Sequence, residues 1–161
     1  MLFRSPGPNW SLQASWADQK SPEQLEPLIN ETRWSASALY TRKLGATGAL
    51  SLTAAFGRKQ RSDGVDLNGW LGEASWKPNA KWTIFGRAER IATDELGPVR
   101  GGPIEDVGEI SLGAIRDWRI SAHTVFGVGA LASKNFVGKA LSPSYGGDRM
   151  GAMAFVRLKV G

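Results

Sequence analysis

The sequence predicts an all-β fold, an antiparallel up-and-down transmembrane β-barrel with about eight strands in this chain. Three observations predict it. Period-two alternation of apolar and polar residues recurs eight times along the sequence. Long and short connections alternate between these segments, as they do in bacterial outer-membrane barrels. The tryptophans concentrate near the ends of the segments, on the apolar face.

Length and composition suit a single domain over residues 1–161, either a whole barrel or the carboxy-terminal part of a larger one. The absence of cysteine excludes disulfides and cysteine-ligated metals. The net charge is +5, but the lysines and arginines are scattered, so nucleic acid is not an expected partner. No segment has the ~18 consecutive apolar residues of a membrane helix, whereas a barrel strand needs about 10 residues, alternately apolar.

The first four predicted strands are residues 9–18, 32–43, 48–59 and 67–77. Their second faces are mostly Ser, Thr, Ala, Gly and Gln, as expected for a strand with two unlike environments. Their apolar faces carry, strand by strand, Trp10, Leu12, Ala14 and Trp16; Trp34, Ala36, Ala38 and Tyr40; Leu50, Leu52, Ala54 and Phe56; and Trp70, Ala74 and Trp76.

The last four predicted strands are residues 80–91, 107–118, 123–133 and 149–160. The alternation is least regular in the third of these, where glycines occupy the second face. Their apolar faces carry Trp82, Ile84 and Ala88; Ile110, Leu112, Ala114 and Trp118; Thr124, Phe126, Val128 and Ala130; and Ala152, Ala154, Val156, Leu158 and Val160.

The connections alternate in length along the whole chain. The long ones cover residues 19–31, 92–106 and 134–148, and an intermediate one covers 60–66 with a Ser-Asp-Gly turn. The short ones lie at 44–47, 78–79 and 119–122. Residues 21–30 have some helical character, since Pro22 suits a first helical position and Pro27 limits the length of a helix; we assign them to a loop.

The aromatic residues predict two girdles at membrane–water interfaces. Indole rings prefer such interfaces, where the ring is apolar and the N–H reaches water. Residues at the short-turn ends of strands are Trp10, Tyr40, Trp76, Trp82 and Trp118, and those at the long-loop ends are Trp16, Trp34, Phe56 and Trp70.

The alternative fold is a soluble, lipocalin-like barrel with its apolar face inward. Its interior would have to hold all seven tryptophans, and it would place aromatics at mid-strand as readily as at strand ends. The second face also has few Lys or Glu at strand centres, unlike a water-facing surface. The pattern therefore favours the membrane barrel, with this ligand-binding barrel as the alternative.

The charges predicted to face the barrel interior form the only functional constellation. They could form a constriction that selects solutes in a wide barrel, or an ion-pair network that fills a narrow one. If the chain closes alone with eight strands, the network is favoured; in a wider barrel the two are balanced. This lumen-facing charged cluster comprises Arg33, Glu73, Arg87, Glu89, Glu109, Asp117, Arg157 and Lys159.

Other candidate sites carry weaker signals, and we expect no catalytic, cofactor or metal site. His123 is the only histidine and lies at the short-turn end, away from the loops where catalytic sites of barrels usually lie. The loop acids Asp94, Glu95, Glu105 and Asp106 match no calcium motif. Gly-Gly pairs at 101–102 and 146–147 are turn chemistry, because no helix follows them.

Some residues depart from the pattern. Apolar Leu39, Leu71, Phe85 and Ile115 would face the interior, whereas Arg42, Arg58 and Arg116 would face outward near strand ends, where their heads can reach the interface. The amino terminus lacks a signal peptide, so we expect an upstream start or a longer chain. The carboxy terminus lacks the aromatic residue with which many barrels end.

Several segments carry a resemblance to known sequences: SPEQLEP followed by TRWSASALY, LTAAFGRKQ, WTIFGRAERIATDEL, ISLGAIRDW and YGGDRMGAMAFVRLKV, which together span nearly the whole chain. They resemble an uncharacterised group of proteobacterial outer-membrane β-barrel proteins. The resemblance implies the carboxy-terminal part of a barrel in the bacterial outer membrane. It implies no activity.

We therefore expect a non-enzymatic, porin-like or transport-related barrel of a Gram-negative outer membrane. Its partners would be outer-membrane lipid, lipopolysaccharide and the barrel-assembly machinery. The alternatives are a small structural or adhesive barrel whose long loops bind a partner, and the soluble ligand-binding barrel. No cofactor is expected for any of them.

Overall fold

The structure is a computed structural model that describes residues 1–23, 27–96 and 102–161. These residues form one antiparallel sheet of nine strands in which each strand pairs with its neighbours in chain order. The strands are β1 (Leu2–Gly7), β2 (Trp10–Gln19), β3 (Glu31–Leu44), β4 (Gly48–Arg61), β5 (Asp66–Lys77), β6 (Trp82–Thr93), β7 (Glu105–Arg119), β8 (Thr124–Val137) and β9 (Arg149–Val160).

The expected all-β, up-and-down antiparallel architecture is confirmed, but the number of strands is nine, not eight. Strands β2–β9 correspond to the eight predicted segments, and most of them extend one to four residues further than predicted. The additional strand is β1. Its sequence LFRSPG is short, and its register against β2 shifts between Arg4 and Gly7, which hides the alternation. Pro6 is compatible with an edge strand.

Cross-strand register keeps the two faces of the sheet chemically distinct. From β2 to β9, even-numbered residues pair with even-numbered residues; for example, Trp10 pairs with Tyr40 and Trp82 with Arg116. Because successive side chains point to opposite faces of a strand, the apolar even-numbered residues of all these strands lie on one face. The polar and small odd-numbered residues lie on the other.

The sheet curves toward the odd-numbered face. Phe85 of β6 and Phe155 of β9 lie on this face with ring centroids 6.3 Å apart. Two strands separate β6 from β9, so in a flat sheet the backbones would be roughly 14 Å apart. Ile115 is buried beside these rings. The apolar Phe85 and Ile115, which were expected to face the interior, therefore form a small cluster on what we call the concave face.

The even-numbered face is convex and apolar. All seven tryptophans lie on it, and they range from 36% exposed at Trp34 to 66% exposed at Trp16. Leu112, Val156 and other large aliphatic side chains on this face are also exposed. Burial within the described sheet is instead concentrated on the concave face and at its long-loop end.

Within the described residues the sheet is open. Strands β1 and β9 each pair on one side only, and β1 does not pair with β9. Each of these two strands therefore has one edge whose backbone N–H and C=O groups lack a strand partner.

The connections alternate in length as predicted except after β4, where residues 62–65 form a connection no longer than the turns at 78–81 and 120–123. Short turns join β1 to β2, β3 to β4, β5 to β6 and β7 to β8, and longer segments follow β2, β6 and β8. One-turn helix α1 (Ser142–Tyr145) lies in the last long connection and ends at Gly146 and Gly147, both with positive φ. That glycine pair is thus turn chemistry, whereas residue 101 of the other pair lies outside the described residues.

The segment 21–30, assigned to a loop, shows no helix at its described residues, and residues 24–26 lie outside them. Within the described ranges, none of the helical structure has the length and apolarity that crossing a lipid bilayer demands.

The predicted Ser-Asp-Gly turn joins β4 to β5. Gly64 adopts a positive φ there, which favours glycine. Desolvation alone would raise the pKa of the Asp63 carboxyl, but hydrogen bonds from the Val65 N–H and the Arg61 guanidinium outweigh it and lower the pKa. Asp63 therefore remains charged, and keeps this turn closed, to a pH below its ordinary titration range.

Candidate functional site on the concave face

The centre of the concave face carries an acidic cluster around one arginine. Arg87 of β6 donates through Nη2 to Glu89 Oε2 at 2.5 Å and through Nη1 to Glu73 Oε1 at 3.3 Å. Glu109 of β7 is directly opposite Glu89 in the ladder. Among the described residues Glu109 has no ion-pair partner of its own. Two carboxylates therefore share one guanidinium at mid-strand, and Glu109 adds a third negative charge beside Glu89.

A second cluster lies toward the short-turn end of the same face. The Asp117 carboxylate accepts hydrogen bonds from Arg157 Nη2 at 2.9 and 3.0 Å and from Lys159 Nζ at 3.2 Å. Its side chain is 4% exposed. The two cations come from alternate residues of β9 and reach across β8, where Gly127 leaves room for the Asp117 side chain.

A third cluster surrounds Glu31 at the long-loop end. Glu31 is 2% exposed. Its carboxylate accepts a hydrogen bond from Arg33 Nε at 2.7 Å and lies 3.5 Å from Lys59 Nζ. Lys59 is also 3.8 Å from Glu23 and 3.9 Å from Glu95, which belong to the two neighbouring long connections. The cluster thus ties two loops to the wall of the sheet.

A buried ion pair lies next to this cluster. Arg61 Nη1 is 2.9 Å from Asp94 Oδ2, and both side chains are almost fully buried. Arg61 is at the end of β4 and Asp94 directly follows β6, so the pair crosses over β5. It fixes the start of the long connection between β6 and β7.

A groove of about 900 Å3 occupies the long-loop half of the concave face. Glu23, Arg33, Lys59, Glu89 and Glu95 line it, together with small and apolar residues of β2–β6. Both signs of charge therefore face a space large enough for a small polar solute. This groove and the three ion-pair clusters are the candidate functional site.

The structure divides the predicted lumen-facing cluster into three separate groups. All eight residues are odd-numbered and lie on the concave face, but Arg33, Glu73 and Asp117 belong to different groups. Sequence reasoning missed Glu31, Lys59, Arg61 and Asp94 as members of the site. Strands β3 and β4 extend past the predicted ends, which brings Glu31 and Arg61 into the ladder. The odd numbers of Glu31 and Arg61 were the signal available in the sequence, because odd-numbered residues lie on the concave face.

The loop acids do not converge. Asp94 pairs with Arg61, Glu95 lies near Lys59, and Asp106 pairs with Arg90 on the convex face. In the part of the chain that the structure describes, no group of three or more His, Asp or Glu side chains could hold a metal ion.

His123 lies in the turn between β7 and β8. Its ring Nδ1 is 2.9 Å from the Gly161 backbone oxygen, and its backbone N–H donates a hydrogen bond to Ser121 Oγ. These contacts connect the turn to the end of β9.

The residues of the predicted aromatic girdles lie on the convex face. Ring centroids are 4.8 Å apart for Trp10 and Tyr40 and 5.1 Å apart for Trp34 and Phe56. Arg116 extends over one of the indoles at the short-turn end, with its guanidinium carbon 5.4 Å from the Trp82 ring. Trp16, Trp70, Trp76 and Trp118 are also on this face.

Comparison of the chain with protein families, with curated proteins and with solved structures finds no match. The resemblance to an outer-membrane barrel group therefore stays a prediction.

The buried Glu31 provides a direct test of the long-loop cluster. We expect Glu31→Gln to lower the free energy of unfolding by about 1 kcal/mol, because removing its charge weakens the bonds that compensate its burial. Glu95→Gln is the matched control, since Glu95 also faces Lys59 but is 54% exposed. We expect the control to change stability by less than about 0.5 kcal/mol. Equal effects in denaturant titrations would contradict the assignment.

Proposed function

We propose that this chain forms the curved wall of a transmembrane β-barrel in a bacterial outer membrane. Its convex face would contact lipid, and its concave face would line a polar interior. The observation that carries the proposal is the position of the seven tryptophans, all exposed on the convex apolar face. Their clustering near strand ends is typical of aromatic girdles at membrane interfaces.

The direction of curvature counts against the soluble alternative. A soluble barrel encloses its apolar face, whereas this open sheet curves toward its polar face. The convex face would expose Trp16, Leu112, Val156 and many similar side chains to water. Soluble monomers rarely expose apolar patches of more than a few hundred Å2. Contact with lipid would remove the free-energy cost of exposing these apolar side chains to water.

The open edges suggest that the wall is completed by further strands. A sheet in lipid has to pair every backbone group, which requires closure. Strands β1 and β9 are both odd in an antiparallel series, so they run in the same direction and could pair only in parallel. Bacterial barrels close antiparallel, with an even number of strands. We therefore propose at least one more strand between β9 and β1.

A barrel of more than nine strands has room for a lumen, and this favours a porin-like or transport-related function. The central group of Glu73, Arg87, Glu89 and Glu109 would lie near the middle of that lumen, with more negative than positive charge. In other pores, rings of acidic side chains select cations. The partners would be outer-membrane lipid, lipopolysaccharide beside the long connections, and the barrel-assembly machinery.

Single-cysteine labelling in cells tests the membrane topology cleanly, because the chain has no cysteine. We expect Ser144→Cys, in the last long connection, to react with a membrane-impermeant maleimide on intact Gram-negative cells. Ala122→Cys, in the turn between β7 and β8, should react only after the outer membrane is permeabilised. Both side chains are exposed. Equal labelling of the two positions, before and after permeabilisation, would contradict the proposal.

Conductance in planar bilayers separates transport from a structural or adhesive role. Once further strands complete the wall, we expect stepwise channels that prefer cations, and we expect Glu73→Gln with Glu109→Gln to reduce this preference. Ser37→Asn, on the same face but away from the charges, is the control. An inserted protein without conductance would instead favour a barrel filled by its ion pairs, whose long loops bind a partner.

A further inference from the structure

Charge is distributed unequally between the two ends of the sheet. At the short-turn end, the turns after β3, β5 and β7 carry many cations. Asp117 is the only acid that the described part of the chain places there, and it is already paired with Arg157 and Lys159. No ion-pair partner for the remaining cations exists in the described ranges. These unpaired cations, which we call the basic collar, are Arg42, Lys43, Lys77, Lys81, Arg116 and Arg119.

Outward cations at the opposite end are neutralised by neighbours on the convex face. Arg58 is 2.5 Å from Asp66, and Arg90 pairs with Asp106. Lys134 is 3.8 Å from Asp148. At the basic collar, the equivalent outward residues Arg42 and Arg116 have no acid within ion-pair distance among residues 1–23, 27–96 and 102–161. The asymmetry therefore lies in pairing: these outward cations at the long-loop end have carboxylate partners, whereas those of the basic collar have none among the described residues.

Arg116 shows where the basic collar lies relative to the girdle. Its guanidinium carbon is 5.4 Å from the Trp82 ring centroid and 5.3 Å from that of Trp118. The arginine therefore lies between two indoles of the short-turn girdle. Indoles prefer the headgroup level of a bilayer, so their position puts this cation at the depth of lipid phosphates.

We propose that the basic collar binds the phosphate groups of anionic phospholipids in the leaflet at the short-turn end. This inference rests on the proposed function and adds the class of lipid and the end of the barrel that recognises it. Cations near an anionic membrane surface favour anionic lipid by about fivefold each. Lysine and arginine both bind phosphate, and arginine does so in a bidentate manner.

A lipid surface fits this arrangement better than a single soluble anion. The cations are spread over three successive turns, on both faces of the sheet, and all but the half-exposed Lys77 are exposed. Such a row has no convergent cradle for one phosphate ion. It does match a layer of headgroups that surrounds the end of a barrel and contacts each turn separately.

Quenching by brominated lipids measures this preference directly. The full chain is reconstituted in phosphatidylcholine vesicles, and brominated phosphatidylglycerol or brominated phosphatidylcholine is added. Replacing Trp16, Trp34 and Trp70 by phenylalanine leaves Trp10, Trp76, Trp82 and Trp118 as reporters at the basic collar. We expect brominated phosphatidylglycerol to bind beside these reporters about fivefold better, and high salt to reduce the difference.

Matched charge variants test whether the basic collar is responsible. Lys43→Gln, Lys81→Gln and Arg119→Gln remove one exposed cation from each of the three turns. Because Arg42, Lys77 and Arg116 remain, we expect the lipid preference to fall from about fivefold to about twofold. Lys20→Gln, Lys139→Gln and Arg149→Gln cause the same change of net charge at the long-loop end. We expect this control to keep the preference near fivefold, since its cations lie far from the reporters.

The outcomes separate the two proposals. Equal quenching by the two lipids in the parent protein would overturn the role of the basic collar while supporting membrane contact. An equal loss of preference in both triple variants would also overturn it, because net charge alone would explain the result. No quenching by either lipid would overturn the proposed membrane function as well.

Discussion

Ala38→Arg is expected to destabilise the membrane-inserted protein by about 2–4 kcal/mol. Ala38 lies near the middle of β3 on the convex face, between Leu12 and Ala54 in the cross-strand ladder. If this face contacts lipid, the arginine has to be placed near the bilayer midplane, too far from either interface to be hydrated fully. Equilibrium unfolding from phosphatidylcholine vesicles in guanidinium chloride measures the loss.

Ser37→Arg is the control, because Ser37 is the adjacent residue on the concave face at the same depth. Its ladder neighbours are Gln13 and Ala55, so the arginine meets no like charge there. We expect a change of less than about 0.5 kcal/mol, because Ser37 is half-exposed on a polar face. Two small, equal effects would show that both faces contact water, and the lipid assignment would be wrong.

The two faces of the sheet could be predicted because they depend only on the period-two alternation of apolar and polar residues. Each strand from β2 to β9 alternates apolar and polar residues, and the even-to-even register preserves this pattern across the sheet. The connection lengths likewise follow from where the alternation stops. The positions of Trp10 and Trp118 at strand ends could therefore be predicted without knowing any contact.

The curvature of the sheet and its unpaired edge strands could not be predicted from the alternation of apolar and polar residues. The approach of Phe85 to Phe155 depends on how strongly the sheet bends, which no single strand encodes. Strand β1 was missed because its shifted register breaks the alternation. The absence of a β1–β9 pair also depends on global shape, since a local pattern is the same in an open sheet and in a closed one.

The candidate site was only partly predictable for the same reason. Glu73, Arg87 and Glu89 are close in the ladder, so their grouping follows from one short turn. The pair of Arg61 and Asp94 joins residues on either side of β5 and depends on the conformation of a long connection. Alternation assigns a residue to a face but does not identify its partner.

Gly113→Val is expected to destabilise the fold by about 3 kcal/mol, because the concave face has no space for a side chain there. A Cβ at Gly113 would lie 2.5 Å from Phe85 Cζ, 2.8 Å from the Ala130 carbonyl oxygen and 2.8 Å from Leu131 Cβ. The phenyl ring could move only by losing its contact with Phe155. The backbone oxygen belongs to the β7–β8 ladder and cannot move without breaking it.

Gly72→Val separates this steric effect from the general effect of replacing glycine in a strand. Gly72 lies at mid-strand in β5 on the convex face, and no atom lies within 4 Å of a Cβ placed there. We expect unchanged or up to about 1 kcal/mol higher stability, because valine restricts the unfolded chain and suits a strand. Equilibrium unfolding of both variants in the same vesicles gives the comparison. If Gly113→Val were as stable as Gly72→Val, Phe85 could not lie over β7, and the sheet would have to be flatter than the contact between Phe85 and Phe155 requires.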